Sequence, residues 1–340
     1  MSNKTVMPSV RESGISLIEV MITLVVGSFI ILGTMTVFMQ SRTTYRVNES
    51  VSRLQENARF VLDVISRDIR MASYYGLTSR TDLIGNSATP LDPIPAGLAV
   101  GGDCGPNWTI NLDAVADGSN NGYAWACPSF GNGPQALADT LVIRRVTEDL
   151  IPVLQPQTMY LQSARFRESQ LFVGTVPPAG FHAVGSQTHG LVVNGYYISQ
   201  NSSFLGGPGN PIPSLRVKTL VPGPLGPVIV DKEVLAGVED LQVEFGVDTD
   251  LVDTPNRGSI NRYVNPGDPI ITPGNPGFIP DAEIIAVRIW LRVRAERIEN
   301  GFTDTTPYAY ADRNIPPQND AIRRMVVSKT IFLRNARSPS

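Results

Sequence analysis

Few residues of this 340-residue chain have the chemistry of an enzyme or a metal site. The sequence holds two histidines and two cysteines, too few for a His/Cys metal centre, and this scarcity also argues against a histidine-based triad. It has no Gly-x-Ser-x-Gly elbow, no phosphate-binding loop and no His-Glu-x-x-His motif. We therefore expect no catalysis and no required cofactor, and we interpret His182 and His189 as loop residues.

One ionisable residue stands alone in the most apolar stretch. Glu19 is the only charged side chain between Ile15 and Met39, a run long enough to cross a bilayer as a helix, for which about 20 residues suffice. A carboxylate at the centre of such a helix costs about 2.5–3.5 kcal/mol. Its partner is either the amine at the start of its own helix or the amine of a neighbouring subunit, unless the carboxylate snorkels to the membrane interface without a partner. We favour the second, which makes Glu19 an assembly residue.

Three interpretations of the N-terminus differ in the fate of residues 1–14. A cleaved secretory signal has a shorter apolar region and then a small-x-small site, which the segment after Met39 lacks. A permanent membrane anchor explains the length of the run but not Glu19 or Gly14. In the third interpretation, residues 1–14 are a hydrophilic leader removed after Gly14, so that Ile15 becomes the first residue and Glu19 the fifth.

The third arrangement resembles the processing site of type IV pilins and pseudopilins, in which glycine precedes the cleaved bond and glutamate is the fifth mature residue. The resemblance implies a prepilin peptidase that cuts between Gly14 and Ile15, methylation of the new amine, and a joint role of Ile15 and Glu19 in assembly. Basic residues in the leader hold that end in the cytoplasm, so the chain beyond Met39 is expected outside it.

An amphipathic pattern continues the apolar run. Residues 40–76 carry apolar side chains at intervals of three and four, without proline. The sequence predicts one helix from Ile15 to about Tyr75, with residues 15–39 as its transmembrane or assembly half and Gly76 as its stop. Its second half resembles that of PilW-type minor pilins, which end in an arginine-rich turn, aromatic residues and glycine.

The next segment, residues 77–138, is rich in glycine, proline and asparagine and predicts irregular structure. A structureless stretch of this length is uncommon in a compact domain, so we expect it to pack against the body or to carry a function. Both cysteines lie in it. Cys104 and Cys127 form either a disulfide or two free thiols, and we favour the disulfide. By closing the loop between them, it would stabilise the fold by about 3 kcal/mol.

Strand patterns dominate the rest of the chain. Strands are predicted at 140–146, 150–154, 170–176, 190–199, 215–220, 228–231, 241–247, 283–297 and 322–333. Strands and helices do not alternate, so the sheet should be mainly antiparallel. The predicted fold is α+β and type IV pilin-like: a long N-terminal helix packed on the sheet of one periplasmic domain, residues 77–340.

A basic stripe on the strand at 283–297 admits two interpretations. Arg288, Arg292 and Arg294 alternate with other residues on one predicted face. They suit either the phosphates of DNA or the solvent-exposed face of an ordinary strand, where charge opposes aggregation. We favour the solvent-exposed face, and we do not expect nucleic acid as a direct partner.

An acidic turn follows another predicted strand. Asp248, Asp250 and Asp253 offer the oxygen ligands that calcium prefers. Their spacing is not that of an EF-hand, and acidic turns are common in proteins. Calcium is thus a weak candidate here.

The resemblance implies a structural role. The chain would be a minor pilin that waits in the inner membrane, is cleaved, helps to initiate a type IV pilus, and ends at or near its tip on the cell surface. Implied partners are prepilin peptidase, major and minor pilins, the inner-membrane assembly platform, membrane lipid and a large tip adhesin. Twitching motility, adhesion or DNA uptake would follow from that role.

Two alternatives stay open on sequence grounds. A minor pseudopilin of a type II secretion system shares the leader, Glu19 and the long helix. A membrane-anchored periplasmic binding module that never assembles would keep the helix but have no use for Gly14 or Glu19.

The leader interpretation makes a direct prediction about the mature N-terminus. Mass spectrometry of the native protein should find a chain that begins at Ile15 with a methylated amine, because the peptidase cuts after Gly14. An intact Met1, or a cut at another bond, would contradict the pilin interpretation.

Overall fold

The computed structural model describes residues 14–165, 167–180, 185–207, 210–251 and 254–335. The chain forms two compact units, Met1–Ser52 and Arg53–Ser340. Most of one long helix belongs to the first unit. The end of that helix and all the strands belong to the second.

The helix, α1, comprises Leu17–Arg70, 54 residues. Its apolar residues before Ser41 are exposed, whereas burial begins at Leu54 and recurs every three or four residues as far as Ile69. The helix ends five residues before the predicted Tyr75. Ser73 takes a left-handed φ of 57° and donates its N–H to the Arg144 carbonyl (3.1 Å), so the backbone leaves the helical path before Gly76.

Within its described residues, the second unit contains sixteen strands and two short 3₁₀ turns. The strands are β1 (Ile84–Gly85), β2 (Ala116–Asp117), β3 (Leu141–Val146), β4 (Met159–Ala164), β5 (Ser169–Val173), β6 (Ser186–Ser199), β7 (Gly206–Gly207), β8 (Asn210–Pro211), β9 (Ser214–Pro222), β10 (Pro227–Ala236), β11 (Val238–Asp248), β12 (Arg262–Val264), β13 (Glu283–Arg294), β14 (Tyr308–Tyr310), β15 (Arg313–Ile315) and β16 (Arg324–Phe332). The 3₁₀ turns are Thr81–Leu83 and Pro269–Ile271.

These strands form two principal sheets instead of the one expected. The larger has the order β1-β5-β4-β6-β3-β2, and β9 pairs with both β6 and β10. The smaller has the order β12-β11-β13-β16. All their pairings are antiparallel except β1 with β5. The expected α+β class, a long helix with a mainly antiparallel domain, is confirmed.

The main core lies where the buried stripe of α1 meets both sheets. Ile65 and Ile69 are fully buried there, together with Leu141 of the larger sheet and Val243 and Ile289 of the smaller. Burying a side chain of this size contributes about 1.5–3 kcal/mol. The second half of the helix therefore holds the two sheets in one unit.

Residues 77–138 are mostly irregular but belong to a second core. Trp108, Ile110 and Leu112 are buried against the larger sheet, and Cys104 and Cys127 form the predicted disulfide. A Cβ on Gly195 of β6 would lie within 3 Å of the rings of Trp108 and Trp125. The segment thus packs against the body of the domain, which is the first of the two alternatives that the sequence left open.

Some strand predictions were wrong. Residues 150–154 form no strand, whereas β4 and the hairpin β14–β15 were not predicted. β4 reads Met-Tyr-Leu-Gln-Ser-Ala and is buried at every position, so its sequence lacks the alternation that marks a half-exposed strand.

Asp139 joins the two sheets at the entrance to β3. Its N–H donates to the Leu241 carbonyl (2.8 Å), and its carboxylate accepts the N–H groups of Val243 (2.8 Å) and Asn121 (2.7 Å). Burial raises the pKa of Asp139 to about 7 despite those hydrogen bonds. Loss of water thus outweighs the donors.

This raised pKa predicts a pH-dependent contribution to stability. Between pH 4 and 7 the folded state holds a proton on Asp139 that the unfolded state releases, so this contribution is complete below about pH 4 and is lost as the pH rises through 7. Denaturant unfolding of the full chain in detergent should show this loss. In Asp139→Asn the free energy of unfolding should fall less steeply as the pH rises, by up to about 1.4 kcal/mol per pH unit. Equal slopes would contradict the assignment.

Candidate assembly site

The candidate site lies at the start of α1. The Ser16 carbonyl accepts the N–H groups of Glu19 (3.0 Å) and Val20 (3.2 Å), which places Glu19 in the first helical turn. The first turn is the positive end of the helix dipole and favours a carboxylate. Apart from its chain neighbours, no described atom lies within 4 Å of the position that a Cβ would take on Gly14, and Ile15 is 77% exposed.

The polar side chains that follow are satisfied within the helix. Thr23 donates to the carbonyls of Glu19 and Val20, both at 2.9 Å, and Ser28, Thr34 and Thr36 donate to carbonyls three residues back at 2.7–2.9 Å. Such bonds let a hydroxyl enter an apolar environment at small cost. Among the described residues, none donates a hydrogen bond to the Glu19 carboxylate. The carboxylate is therefore the group in this half that still needs a partner.

The surroundings of Glu19 are apolar side chains without cover. Ile18 is 66% exposed, and Ile22 and Val26 are at least half exposed. By length and composition this helix can cross a membrane. A surface of this kind requires lipid or other apolar helices around it.

The second half of α1 is fixed by a buried carboxylate. Asp68 is 3% exposed and accepts hydrogen bonds from Arg145 of β3 (2.7 Å) and from Asn194 (2.7 Å) and Tyr196 (2.9 Å) of β6. Burial, and then the Asp68 carboxylate, raise the pKa of Tyr196 well above its ordinary value. This network was not predicted from the sequence, although an aspartate within the buried stripe was a signal for it.

The basic stripe is not a solvent-exposed face. Arg292 and Arg294 are each 8% exposed and lie 3.1 and 3.9 Å from the carboxylate of Glu239, which also pairs with Arg324 at 2.8 Å. The prediction failed because β14 and β15 fold over this face. The third residue, Arg288, is partly exposed and stacks 3.5 Å from the ring centre of Tyr263.

The acidic turn is held by donors of the protein itself. Asp248 is fully buried and accepts the N–H groups of Asp250 (2.9 Å) and Gly258 (2.5 Å). Arg257 lies 3.9 Å from the same carboxylate. Asp253 lies outside the described residues. This arrangement leaves Asp248 few free lone pairs, and calcium binding stays a weak prediction.

His189 is not a loop residue, as had been expected. It lies in β6, is buried, and its Nδ1 is 2.9 Å from the Thr147 carbonyl. Its ring packs edge-on to Tyr74. His182 lies outside the described residues.

Part of this chain matches a known protein family. Residues 195–335 match the PilW family. The family is described as Type IV Pilus-assembly protein W. The match begins within β6, covers the strands from β7 to β16 and leaves out α1, so it is independent of the motif at residues 14–76. The resemblance to PilW that this motif indicated is confirmed.

Resemblance to solved and curated proteins is sparser. The type IV-like pilin TTHA1219 from Thermus thermophilus shares 15% identity with this chain, over 54% of it and 86% of the pilin, with a TM-score of 0.23. That likeness is distant. No curated protein matches the chain.

The Asp68 network predicts a large difference between two aspartates on one helix. Asp68→Ala should lower the free energy of unfolding by about 3–5 kcal/mol, because the partly buried Arg145 and the buried Tyr196 both lose their acceptor. Asp63→Ala, the control, removes an exposed pair with Arg67 and should cost less than about 1 kcal/mol. Denaturant unfolding in detergent measures both. Equal losses would contradict the role of Asp68.

Proposed function

We propose that this chain is a minor pilin of a type IV pilus. The observation that carries the proposal is Glu19: no described residue donates a hydrogen bond to its carboxylate, and the apolar half of α1 around it is exposed in the part of the chain that the structure describes. The PilW match over residues 195–335 supports a pilin role from the other end of the chain. The role needs no catalysis and no cofactor.

The proposed mechanism follows from the cost of an isolated charge. Prepilin peptidase removes residues 1–14, which frees the amine of Ile15. In a dry bundle of apolar helices, this amine pairs with Glu19 of a neighbouring subunit displaced along the bundle axis. An unpaired carboxylate there is costly, so the pairing selects one axial offset between neighbours.

The proposed location follows from the same helix. The precursor is anchored in the inner membrane by residues 15–39, with its β-rich domain in the periplasm. It then joins major and minor pilins through the assembly platform and helps to initiate a pilus in which it lies at or near the tip. The exposed apolar half of α1 supports both the membrane and the bundle environments.

A pseudopilin of a type II secretion system is the second candidate. The head of α1 suits it equally, because both filaments are bundles of such helices. The PilW match favours the pilus. Deletion of the gene should abolish pili and leave protein export intact, whereas the opposite result would favour the pseudopilin. A binding module that never assembles would tolerate loss of Glu19.

The assembly role of Glu19 can be tested by one isosteric substitution. Glu19→Gln removes the charge and keeps the shape, so incorporation into sheared filaments should fall at least about tenfold while the membrane level of the protein is unchanged. Glu56→Gln removes an exposed carboxylate from the second half of the same helix and should have no effect. Incorporation of Glu19→Gln at the unaltered level would disprove the proposal.

A further inference from the structure

The smaller sheet ends in a long strand with an open edge. β16 pairs with β13 over nine consecutive residue pairs without a register shift. At its two ends, Leu333 donates to the Ile285 carbonyl (2.9 Å) and Arg323 accepts from the Ala295 N–H (2.8 Å). Because alternate residues of an antiparallel strand face the partner strand, the backbone groups of Val326, Ser328, Thr330 and Phe332 point away from β13.

These outward backbone groups meet no other strand in the described part of the chain. Ser328 and Thr330 are exposed, and Phe332 is 61% exposed. The strand contains no proline, and four of its nine residues are β-branched. A regular, uncovered edge of this kind is a template for another strand.

Other edges in this domain are blunted. Beside β10, Gly101 donates to the Pro227 carbonyl and accepts the Ile229 N–H, both at 2.9 Å, which occupies that edge at one end. Asp231, Lys232 and Glu233 place three charges in succession along β10. The outer strands β2 and β12 have two and three residues. Against this background, the open edge of β16 is a distinct feature.

The charge around β16 indicates what the edge can accept. Residues 323–335 contain four basic residues and no acidic one. Arg323 pairs with Glu299, and Arg324 with Glu239, Asp304 and Asp320. Lys329 and Arg334 have no ion pair with any described residue. A second copy of β16 would bring the same positive charges to the edge, so like charges oppose self-pairing.

We propose that the edge of β16 binds an extended, acidic segment of another subunit by strand addition. The backbone of residues 326–332 supplies the hydrogen bonds, and Lys329 and Arg334 select carboxylates on the added strand. The inference rests on the proposed function only in that a filament supplies the neighbouring subunit. It gives the β-rich domain a contact separate from the helix bundle.

The test uses the full chain in detergent micelles and two labelled peptides of about ten residues. In one peptide valine or threonine alternates with glutamate, and in the other with lysine. Fluorescence anisotropy should show binding of the acidic peptide at least about tenfold tighter than of the basic one. Hydrogen exchange should slow in residues 324–332 when the acidic peptide is bound.

Two sets of variants separate strand addition from other contacts. Ser328→Pro removes an outward N–H that the fold does not use, and it should weaken binding of the acidic peptide at least about tenfold, whereas Ser328→Ala should not. The double substitution Lys329→Glu with Arg334→Glu leaves the backbone edge intact and should reverse the preference between the two peptides. This second set keeps the test decisive if proline impairs folding.

Several outcomes would overturn the inference. Three of them are equal binding of both peptides, no slowing of hydrogen exchange in β16, and no effect of the charge reversal on peptide preference. The fourth is a concentration-dependent dimer that Ser328→Pro abolishes, which would assign the edge to a second copy. Glu19→Gln should bind the acidic peptide normally. A negative result in the peptide test would therefore not contradict the pilin role. A negative result in the Glu19 test would not contradict strand addition at β16.

Discussion

The structure depends on one constraint: the apolar stripe of α1 must be covered along its whole length. In the second half, from Leu54 to Ile69, the chain supplies the cover itself, with residues from both sheets. Removing this stripe would leave the inner faces of the sheets without their common partner. In the first half the chain supplies no comparable cover among the described residues, so lipid or other subunits must do so. The same physical requirement thus gives a folding role to one half and, in the proposed pilus, an assembly role to the other.

Buried carboxyl groups follow a second rule that bears on Glu19. Asp68, Asp139 and Glu239 lie in the interior, and each is met by donors from a different element of the fold. Such networks contribute little net stability, but breaking one is costly, so they fix which elements meet and in what register. Glu19 has no such donor among the described residues. In the proposed filament its donor would be the amine of a neighbouring subunit, and this pairing would set the offset between subunits as Asp68 sets the position of the helix on the sheets.

In the β-rich domain the sheet faces are covered by other elements, whereas the edge of β16 is open. One face of the smaller sheet packs on α1, and the hairpin β14–β15 covers part of the other, which explains why Arg292 and Arg294 are buried. The disulfide-bearing segment lies on the larger sheet and shields it in turn. With the faces occupied, the edge of β16 is where the sheet still offers unused backbone hydrogen bonds. A contact made there would leave the packing of the domain unchanged.

The sequence by itself determined what depends on neighbours along the chain. The periodicity of α1, the lone Glu19, the Gly14–Ile15 motif and the paired cysteines are local signals. The strand at residues 283–294 alternates clearly enough to be predicted, and the strand at 141–146 is marked by β-branched residues. Tertiary structure decided what depends on residues far apart. It buried Arg292 by folding residues from 308 onward across its strand, it made β4 a strand buried on both faces, and it split the sheet in two. It ended α1 early, because the Ser73 N–H finds a carbonyl on β3. Long-range contacts of this kind leave no periodic trace in the sequence, because each depends on a partner whose position only the whole fold defines.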